Sequence, residues 1–298
     1  MKPSIQVLVS ELRELQRQRV CNLKSRIMIV NRLTASVATM TGYHGGLEES
    51  ERTKRFAEAA KLISRVKAGE KASEIEQHCA ALILGSGHSI DAFDHVVGQF
   101  EKQMIAVARQ LPVYAWLQLP EQRGFGEKSL AIIVGEAGDL SAYANPGKLW
   151  KRMGCAPFEK NGAMRMPSTW RSSKPRLSAD EWTDIGYCPR RRSDMWNIEE
   201  ALIKGNQTGP YRARYLQAKA TMEAKHPEYG ICRKCEGTGK TPKGGGCSNC
   251  KATGRVKMHY HNHAHLLCGK LLLKNLWIAW TGGETVTETE SARAAASV

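Results

Sequence analysis

Residues 232–255 contain two Cys-x-x-Cys pairs separated by a glycine-rich stretch, Cys232 with Cys235 and Cys247 with Cys250. Each pair places two thiolates on one tight turn, and the linker lets the two turns face each other. This spacing predicts a tetrahedral zinc site with these four cysteines as ligands. Because four thiolates leave no position open for water, the predicted role of the Zn²⁺ ion is structural.

The basic composition of the chain constrains its partners. The 298 residues include 44 Lys and Arg against 29 Asp and Glu, which gives a formal net charge of +15. The basic residues concentrate between Lys148 and Lys225. Such a surplus is typical of proteins that bind polyanions, so we expect a nucleic acid as the partner. The alternative is that the charge serves solubility alone.

The sequence shows no membrane signal. Its N-terminal segment lacks the apolar stretch of a signal peptide, and no segment reaches the ~20 apolar residues that a membrane span needs. We therefore expect a cytoplasmic protein with no membrane partner. The cysteines outside the zinc pattern are scattered through helical context, which favours reduced, buried thiols. They are Cys21, Cys79, Cys155, Cys188 and Cys268.

The apolar pattern predicts a mainly α-helical fold. Apolar residues recur at three-four spacing through residues 4–41, which predicts a long helix, either a coiled coil or a helical hairpin, within a segment 1–45. Such an apolar seam must be covered. We therefore expect the helix to fold back on the chain or to form a homodimer with a second copy.

A helical region is predicted over residues 46–115. The pattern indicates helices at 48–69, 72–84 and 90–117, and the Gly-Ser-Gly-His sequence at 85–88 separates the last two.

The C-terminal half is less regular. Residues 158–192 show no sustained period and predict a long loop with a short strand. Helices are predicted at 195–204, 211–225 and 260–280. The small, polar tail at 284–298 is predicted to be disordered.

A glycine turn precedes one of these helices. Gly124 and Gly126 flank a phenylalanine directly before an amphipathic stretch that begins at Glu127, a pattern that resembles a helix-hairpin-helix motif over residues 119–157. In that motif glycines permit a tight turn, and backbone N–H groups bind a DNA phosphate. Lys128 and Ser129 are placed to contact the same phosphate. The alternative is a turn that only connects helices.

A longer stretch resembles the C-terminal domain of the DEDD-type insertion-sequence transposases of the IS-one-ten group, the bridge-RNA-guided recombinases. The matching features are Leu119-Pro120, the glycine turn, Glu136-Ala137-Gly138-Asp139, Tyr143 and Gly154-Cys155-Ala156-Pro157. Residues 263–277 resemble the family's last helix, and the N-terminal heptads resemble its coiled coil. The resemblance covers residues 90–283 and the first helix, and it implies a transposase-type domain over 116–283.

The resemblance implies that this domain binds DNA. The candidate DNA-binding residues are Gly124, Gly126, Lys128, Ser129, Lys148, Lys151, Arg152, Arg165 and Arg171. The family also implies a structured guide RNA as a further candidate partner.

The sequence departs from the family in its catalytic residues. These transposases begin with a RuvC-like domain whose four acidic residues hold divalent metal, and we expect a partner to supply that site here. The family's nucleophilic serine lies in a Ser-Gly pair, where this sequence has Asn161-Gly162. An amide cannot form the covalent link to phosphate, which leaves Ser168, with Ser172 and Ser173, as candidate displaced nucleophiles. The alternative, which is favoured, is that these serines beside arginines contact phosphate or solvent, so no catalytic residue is assigned.

The cysteine segment, an insertion over residues 230–256, resembles the CxxCxGxG repeats of the cysteine-rich region of J-domain chaperones. Residues 232–239 match the repeat fully, and residues 247–254 match it except that Ala252 replaces a glycine. The sequence has no J-domain motif, so the resemblance implies a zinc hairpin rather than a chaperone.

Four histidines lie at alternate positions before the last predicted helix: His259, His261, His263 and His265. His259 with His263 and His261 with His265 have the four-residue spacing that can chelate a metal on a helix. The sequence places no carboxylate or cysteine at a supporting position, so structural or RNA-facing roles are favoured.

Two functions follow from these patterns. The first is a DNA-binding protein of the transposase type that acts in DNA transposition or recombination with a partner for the acidic site. The second is a non-catalytic DNA- or RNA-binding zinc module derived from such a transposase.

Overall fold

The computed structural model describes residues 3–70, 74–160, 162–165, 177–242 and 244–282. It confirms a mainly α-helical fold. The chain divides into two compact units, a larger one that comprises Met1–Arg13 with Val107–Val298, and a smaller one that comprises Glu14–Ala106. None of the described helices is long and apolar enough to cross a membrane.

Three helices, α1 (Ile5–Met40), α2 (Glu49–Lys67) and α3 (Glu74–Ala108), supply the smaller unit. Within it, the apolar seam of α1 packs on α2 and α3 of the same chain. The shared core consists of Leu33, Val37, Ala38, Ala59, Leu62, Cys79, Ile83 and Ile90.

Two ion pairs within the smaller unit show the relative direction of α1 and α3. Arg19 Nη2 lies 2.8 Å from Glu101 Oε1, and Arg26 Nε lies 2.5 Å from Asp94 Oδ1. The earlier residue of α1 pairs with the later residue of α3, so the two helices are antiparallel. Residues 5–40 thus form one long helix, as the seam predicts, and its partners in the smaller unit are helices of the same chain.

The prediction of separate helices at 72–84 and 90–117 is wrong. The Gly-Ser-Gly-His sequence lies inside the continuous helix α3, which ends at Ala108. Each glycine costs about 1 kcal/mol in a helix interior. Ile83 and Ile90 are seven residues apart and both buried in the same core, so an unbroken helix keeps both side chains packed.

The larger unit contains seven further α-helices and one β-hairpin in its described residues. They are α4 (Tyr114–Leu117), α5 (Glu127–Ala137), α6 (Pro146–Arg152), β1 (Phe158–Lys160), β2 (Ala163–Arg165), α7 (Ala179–Ile185), α8 (Pro189–Gly205), α9 (Pro210–Lys225) and α10 (Met258–Thr281).

Within 158–192, the described residues 158–160, 162–165 and 177–192 contain more regular structure than the sequence predicts. Its strands β1 and β2 pair in antiparallel register, with Phe158 opposite Arg165. Helix α7 begins at a capping box in which Ser178 and Glu181 satisfy each other's backbone N–H groups, and it ends at Gly186 in the left-handed conformation. Helix α8 begins at Pro189, six residues before the predicted start of this helix at residue 195.

Helix α10 is the element on which the larger unit assembles. It shares an apolar core with α8 and α9 that contains Ile203, Tyr215, Ala218, Ala264 and Cys268. Three tryptophans connect α10 to the α5–α6 segment. Trp150 Nε1 donates to the Lys270 carbonyl, Trp277 Nε1 to the Tyr143 carbonyl, and Trp280 Nε1 to Asp139 Oδ1, at 2.9–3.0 Å.

The glycine turn before α5 crosses the end of α8 at close range. Gly124 has φ +98°, and a Cβ placed on it would lie 2.8 Å from the Ala201 carbonyl oxygen. A Cβ on Gly205 would lie 2.5 Å from Gly124 Cα. The backbones meet only because both residues lack a side chain.

We predict that Gly205→Ala destabilises the protein by about 1–3 kcal/mol, because the added methyl group overpacks a backbone crossing. Gly98→Ala is the control, since Gly98 is also a helical residue and a Cβ there would meet nothing within 4 Å. Urea unfolding of the two variants measures the difference. Equal midpoints for the two would contradict the crossing.

Candidate functional site

The four predicted cysteines lie together in the segment between α9 and α10. All four are buried, and their sulfur atoms lie within 4.8 Å of one another. Cys232 Sγ is 3.9 Å from Cys247 Sγ, and Cys235 Sγ is 3.6 Å from Cys250 Sγ. Sulfur ligands around a tetrahedral Zn²⁺ ion lie about 3.8 Å apart, so the four thiols fit one tetrahedral ion.

The two CxxCxGxG repeats build this cluster as related halves. The Gly239 N–H donates to Cys235 Sγ and the Gly254 N–H to Cys250 Sγ, both at 3.3 Å. Across the repeats, the Cys232 N–H donates to the Gly254 carbonyl and the Cys247 N–H to the Gly239 carbonyl. Each repeat therefore supplies the closing hydrogen bond of the other.

The repeat glycines are required by close backbone approach. A Cβ on Gly239 would lie 2.3 Å from the Ala252 carbonyl oxygen, and one on Gly254 would lie 2.1 Å from the Gly237 carbonyl oxygen. Ala252 has φ +63°, in the same left-handed region as Gly237 at φ +85°. The alanine that departs from the repeat thus keeps the glycine's backbone conformation at a cost of about 1–2 kcal/mol.

Hydrogen bonds adjust the acidity of the thiols. The Asn249 amide donates to Cys232 Sγ at 3.2 Å and lowers the pKa of that thiol to about 6. The backbone N–H of Cys250 lowers the pKa of Cys247, whereas burial raises the pKa of Cys250 to about 11. Donors aimed at sulfur favour the thiolate form, which is the form that ligates metal.

A second feature is a basic cluster on the larger unit. Lys148, Lys151 and Arg152, which the sequence marks as DNA-binding candidates, line one shallow pocket of about 450 Å³ with Tyr143. Asn145 caps helix α6 by accepting from the Lys148 N–H, and the helix places these three cations within two turns. Lys151 Nζ lies 5.4 Å from the centre of the Phe158 ring.

Sequence analysis missed the arginines beside this pocket. Arg190 and Arg191 at the start of α8 both pair with the buried carboxylate of Glu136, at 2.6 and 2.9 Å. The Arg152 guanidinium donates to the Glu136 carbonyl. Proline is common as the first residue of a helix, so Pro189, directly before these arginines, is the sequence signal that places them in the first turn of α8.

Positive charge in this cluster exceeds the acids available to neutralise it. Burial and then the nearby Arg191 lower the pKa of Arg152. Lys148 and Lys151 have no ion-pair partner among the described residues. The basic cluster thus comprises the three lysine and arginine residues of α6 and the two arginines of α8: Lys148, Lys151, Arg152, Arg190 and Arg191.

The glycine turn contacts α8 on one side and is exposed at the start of α5 on the other. Gly124 faces α8, while Gly126 is exposed at the start of α5. At that helix end the Glu127 carboxylate accepts hydrogen bonds from Arg109 and Tyr114, and Arg109 lowers the pKa of Glu127. This carboxylate lies in the first turn of α5, where the positive end of the helix dipole favours negative charge.

The remaining candidates lie at scattered places. Lys128 is exposed and Ser129 half-buried on the first turn of α5. Arg165 is the last residue of β2. Arg171 and the candidate nucleophiles fall outside the described residues, as does Asn161; the nucleophiles are Ser168, Ser172 and Ser173.

The histidines of α10 have a carboxylate neighbour that the sequence does not predict. One carboxylate oxygen of Glu200, on α8, lies within 4.8 Å of a ring nitrogen of His261 and of His265. His259 is exposed and packs at 4.7 Å on the Tyr229 ring. The supporting carboxylate comes from a different helix, and helical spacing within α10 does not reveal it.

Comparisons with known proteins give no match to this chain among family models, curated proteins or solved structures. The resemblance to transposases and that to the J-domain repeats therefore stay predictions.

We predict that Cys235→Ser and Cys250→Ser each release the bound metal and loosen residues 230–256, while the helical signal of the rest of the chain remains. Cys21→Ser, which changes an exposed thiol on α1, should leave metal content unchanged. Elemental analysis with circular dichroism measures both effects. Unchanged metal in the Cys235 and Cys250 variants would contradict the assignment.

Proposed function

We propose that this chain is a DNA-binding protein of the transposase type, which acts in DNA transposition or recombination with a partner that supplies the acidic catalytic domain. The observation that carries the proposal is the basic cluster. Lys148, Lys151 and Arg152 line an open pocket, and the acid that Arg190 and Arg191 contact, Glu136, is buried and already paired. A phosphate would add negative charge where the cations repel one another.

The binding surface is built on rigid elements. Lys148, Lys151 and Arg152 belong to α6, whose Trp150 is tied to α10. Arg191 belongs to α8, which shares a core with α10. Because these helices have one common support, the cations keep a fixed spacing, which lowers the entropic cost of binding a phosphate backbone.

The four cysteines bind Zn²⁺ in this proposal, and the ion is structural. Four thiolates complete the coordination and leave no site for a reacting water. Lys234, Lys240 and Lys251 are exposed on this hairpin, so it also presents positive charge. Arg255 donates to the Pro227 carbonyl at 3.0 Å and so attaches the hairpin to the end of α9.

The second candidate is a non-catalytic zinc module that binds DNA or a structured guide RNA through the same surface. The observation that favours it is the state of Glu136. Its two carboxylate oxygens lie 2.6 and 2.9 Å from Arg190 and Arg191, so this acid beside the basic cluster is not offered to a catalytic metal.

We predict that Lys148→Gln combined with Lys151→Gln weakens duplex DNA binding and reduces the slope of log K against log salt by about 1–2, because each phosphate contact contributes about 0.9. Fluorescence anisotropy at several salt concentrations measures this slope. Lys24→Gln with Lys61→Gln removes the same charge from exposed positions of the smaller unit and should leave the slope near that of the wild type.

The two candidates differ in a strand-cleavage and exchange assay on candidate terminal sequences. For the transposase-type protein we expect exchange products only when a RuvC-like partner is added. Binding with no products in either case would select the zinc module. No salt-dependent binding to duplex DNA or to structured RNA would overturn both.

A further inference from the structure

We propose that Glu200, His261 and His265 bind a second divalent transition-metal ion, apart from the four cysteines. His261 and His265 lie one turn apart on α10, and Glu200 projects from α8. One ligand atom from each residue lies within 4.8 Å of the other two. Two imidazoles with one carboxylate form a common ligand set for zinc in proteins.

Hydrogen bonds behind the ligands orient them toward a shared point. His265 Nδ1 lies 3.3 Å from Glu199 Oε2, and His261 Nδ1 lies 2.8 Å from the Tyr215 hydroxyl. Both contacts engage Nδ1, which leaves Nε2 of each ring as the ligand atom. Metal-binding histidines in proteins usually have such a partner on the second nitrogen.

Two carboxylates face the buried ring of His265, and they favour a cation beside it. The ring is fully buried and stacks on Trp196 with centroids 4.2 Å apart. Glu199 faces its Nδ1, and Glu200 Oε2 faces its Nε2 at 2.6 Å. A neutral imidazole donates from one nitrogen only. A neutral ring that donates from Nδ1 to Glu199 leaves its Nε2 lone pair for a metal ion that Glu200 shares.

Metal binding requires a small movement of one side chain. In a zinc site with ligand distances near 2.05 Å, neighbouring ligand atoms lie about 3.3 Å apart. Glu200 must then withdraw by about 0.7 Å from its present contact with His265. The Glu200 side chain is 32% exposed, while that of His265 has no exposure. The carboxylate is thus the ligand that can move.

Nearby charges bear on the type of ion. Lys204 pairs with Glu200 Oε1 at 2.5 Å, and Arg192 pairs with Glu199 at 2.8 Å. With both carboxylates partly neutralised, coordination by imidazole nitrogen must supply much of the binding energy. This favours zinc and similar transition ions over Mg²⁺ or Ca²⁺, which prefer oxygen ligands. The partial exposure of Glu200 and His261 leaves a fourth position accessible to water.

The test is the metal content of the full chain after equilibration with Zn²⁺ and removal of excess ion. We expect about two zinc ions per chain in the wild type and about one in Glu200→Gln and in His261→Ala. His259→Ala is the matched control, because it removes an exposed histidine of the same helix, and should retain two. Circular dichroism establishes that each variant is folded.

Cobalt substitution separates the two sites. Co²⁺ bound to thiolates gives a strong sulfur-to-metal absorption band, whereas Co²⁺ bound by two histidines and a carboxylate gives only weak visible bands. In the Cys235→Ser variant the weak bands should persist, and adding Glu200→Gln should remove them. A zinc content that Glu200→Gln leaves unchanged, or weak bands that survive Glu200→Gln, would overturn the second site whatever the result at the cysteines.

Discussion

The buried carboxylate of Glu199 determines how the helices of the larger unit fit together. It is fully enclosed between α8 and α10, and Gly269 provides the space, since a Cβ there would lie 1.9 Å from its Oε1. Arg192 and His265 supply the partners that a buried charge requires. Removing one partner from a buried ion pair typically costs about 3–5 kcal/mol. Because His265 belongs to α10, its contact with Glu199 constrains the register of the two helices together with their shared apolar core.

Both proposed sites depend on that register. The start of α8 carries Arg190 and Arg191 into the basic cluster, and its middle presents Glu200 to the histidines of α10. A slide of α8 by one turn would displace both sets of side chains together. The basic cluster and the histidine cluster are thus coupled in structure even though their proposed ligands differ.

Much of the structure could be predicted from local sequence. The cysteine spacing located the metal-ligand cluster because its geometry is set by turns within one short segment. Helical periodicity predicted α1, α2, α9 and α10 closely. The short strand predicted in 158–192 is present, whereas the helices at Ala179–Ile185 and from Pro189 are not predicted although Ser178 and Glu181 form a capping box and Pro189 begins a helix.

The remainder depended on tertiary contacts. Gly85 and Gly87 read as a break, yet burial of Ile83 and Ile90 in one core outweighs the local cost of glycine. Gly124 read as a phosphate-binding turn, and the structure shows that it also serves a backbone crossing with α8. No spacing rule connects Glu200 to a histidine sixty residues later; only the packing of α8 on α10 does.

The cysteine hairpin leaves and re-enters the helical body at nearly one point. Ile231 and Arg255 form an antiparallel bridge, and the Val256 N–H donates to the Gly230 carbonyl at 2.8 Å. Because its two ends are adjacent, the inserted segment connects α9 and α10 over the same short distance as a tight turn would. Were it unstructured, closing a loop of that length instead of a tight turn would cost only about 1–2 kcal/mol in chain entropy. The helix pair can thus tolerate gain, loss or exchange of this module, which makes it a natural place for the chain to acquire a new recognition element.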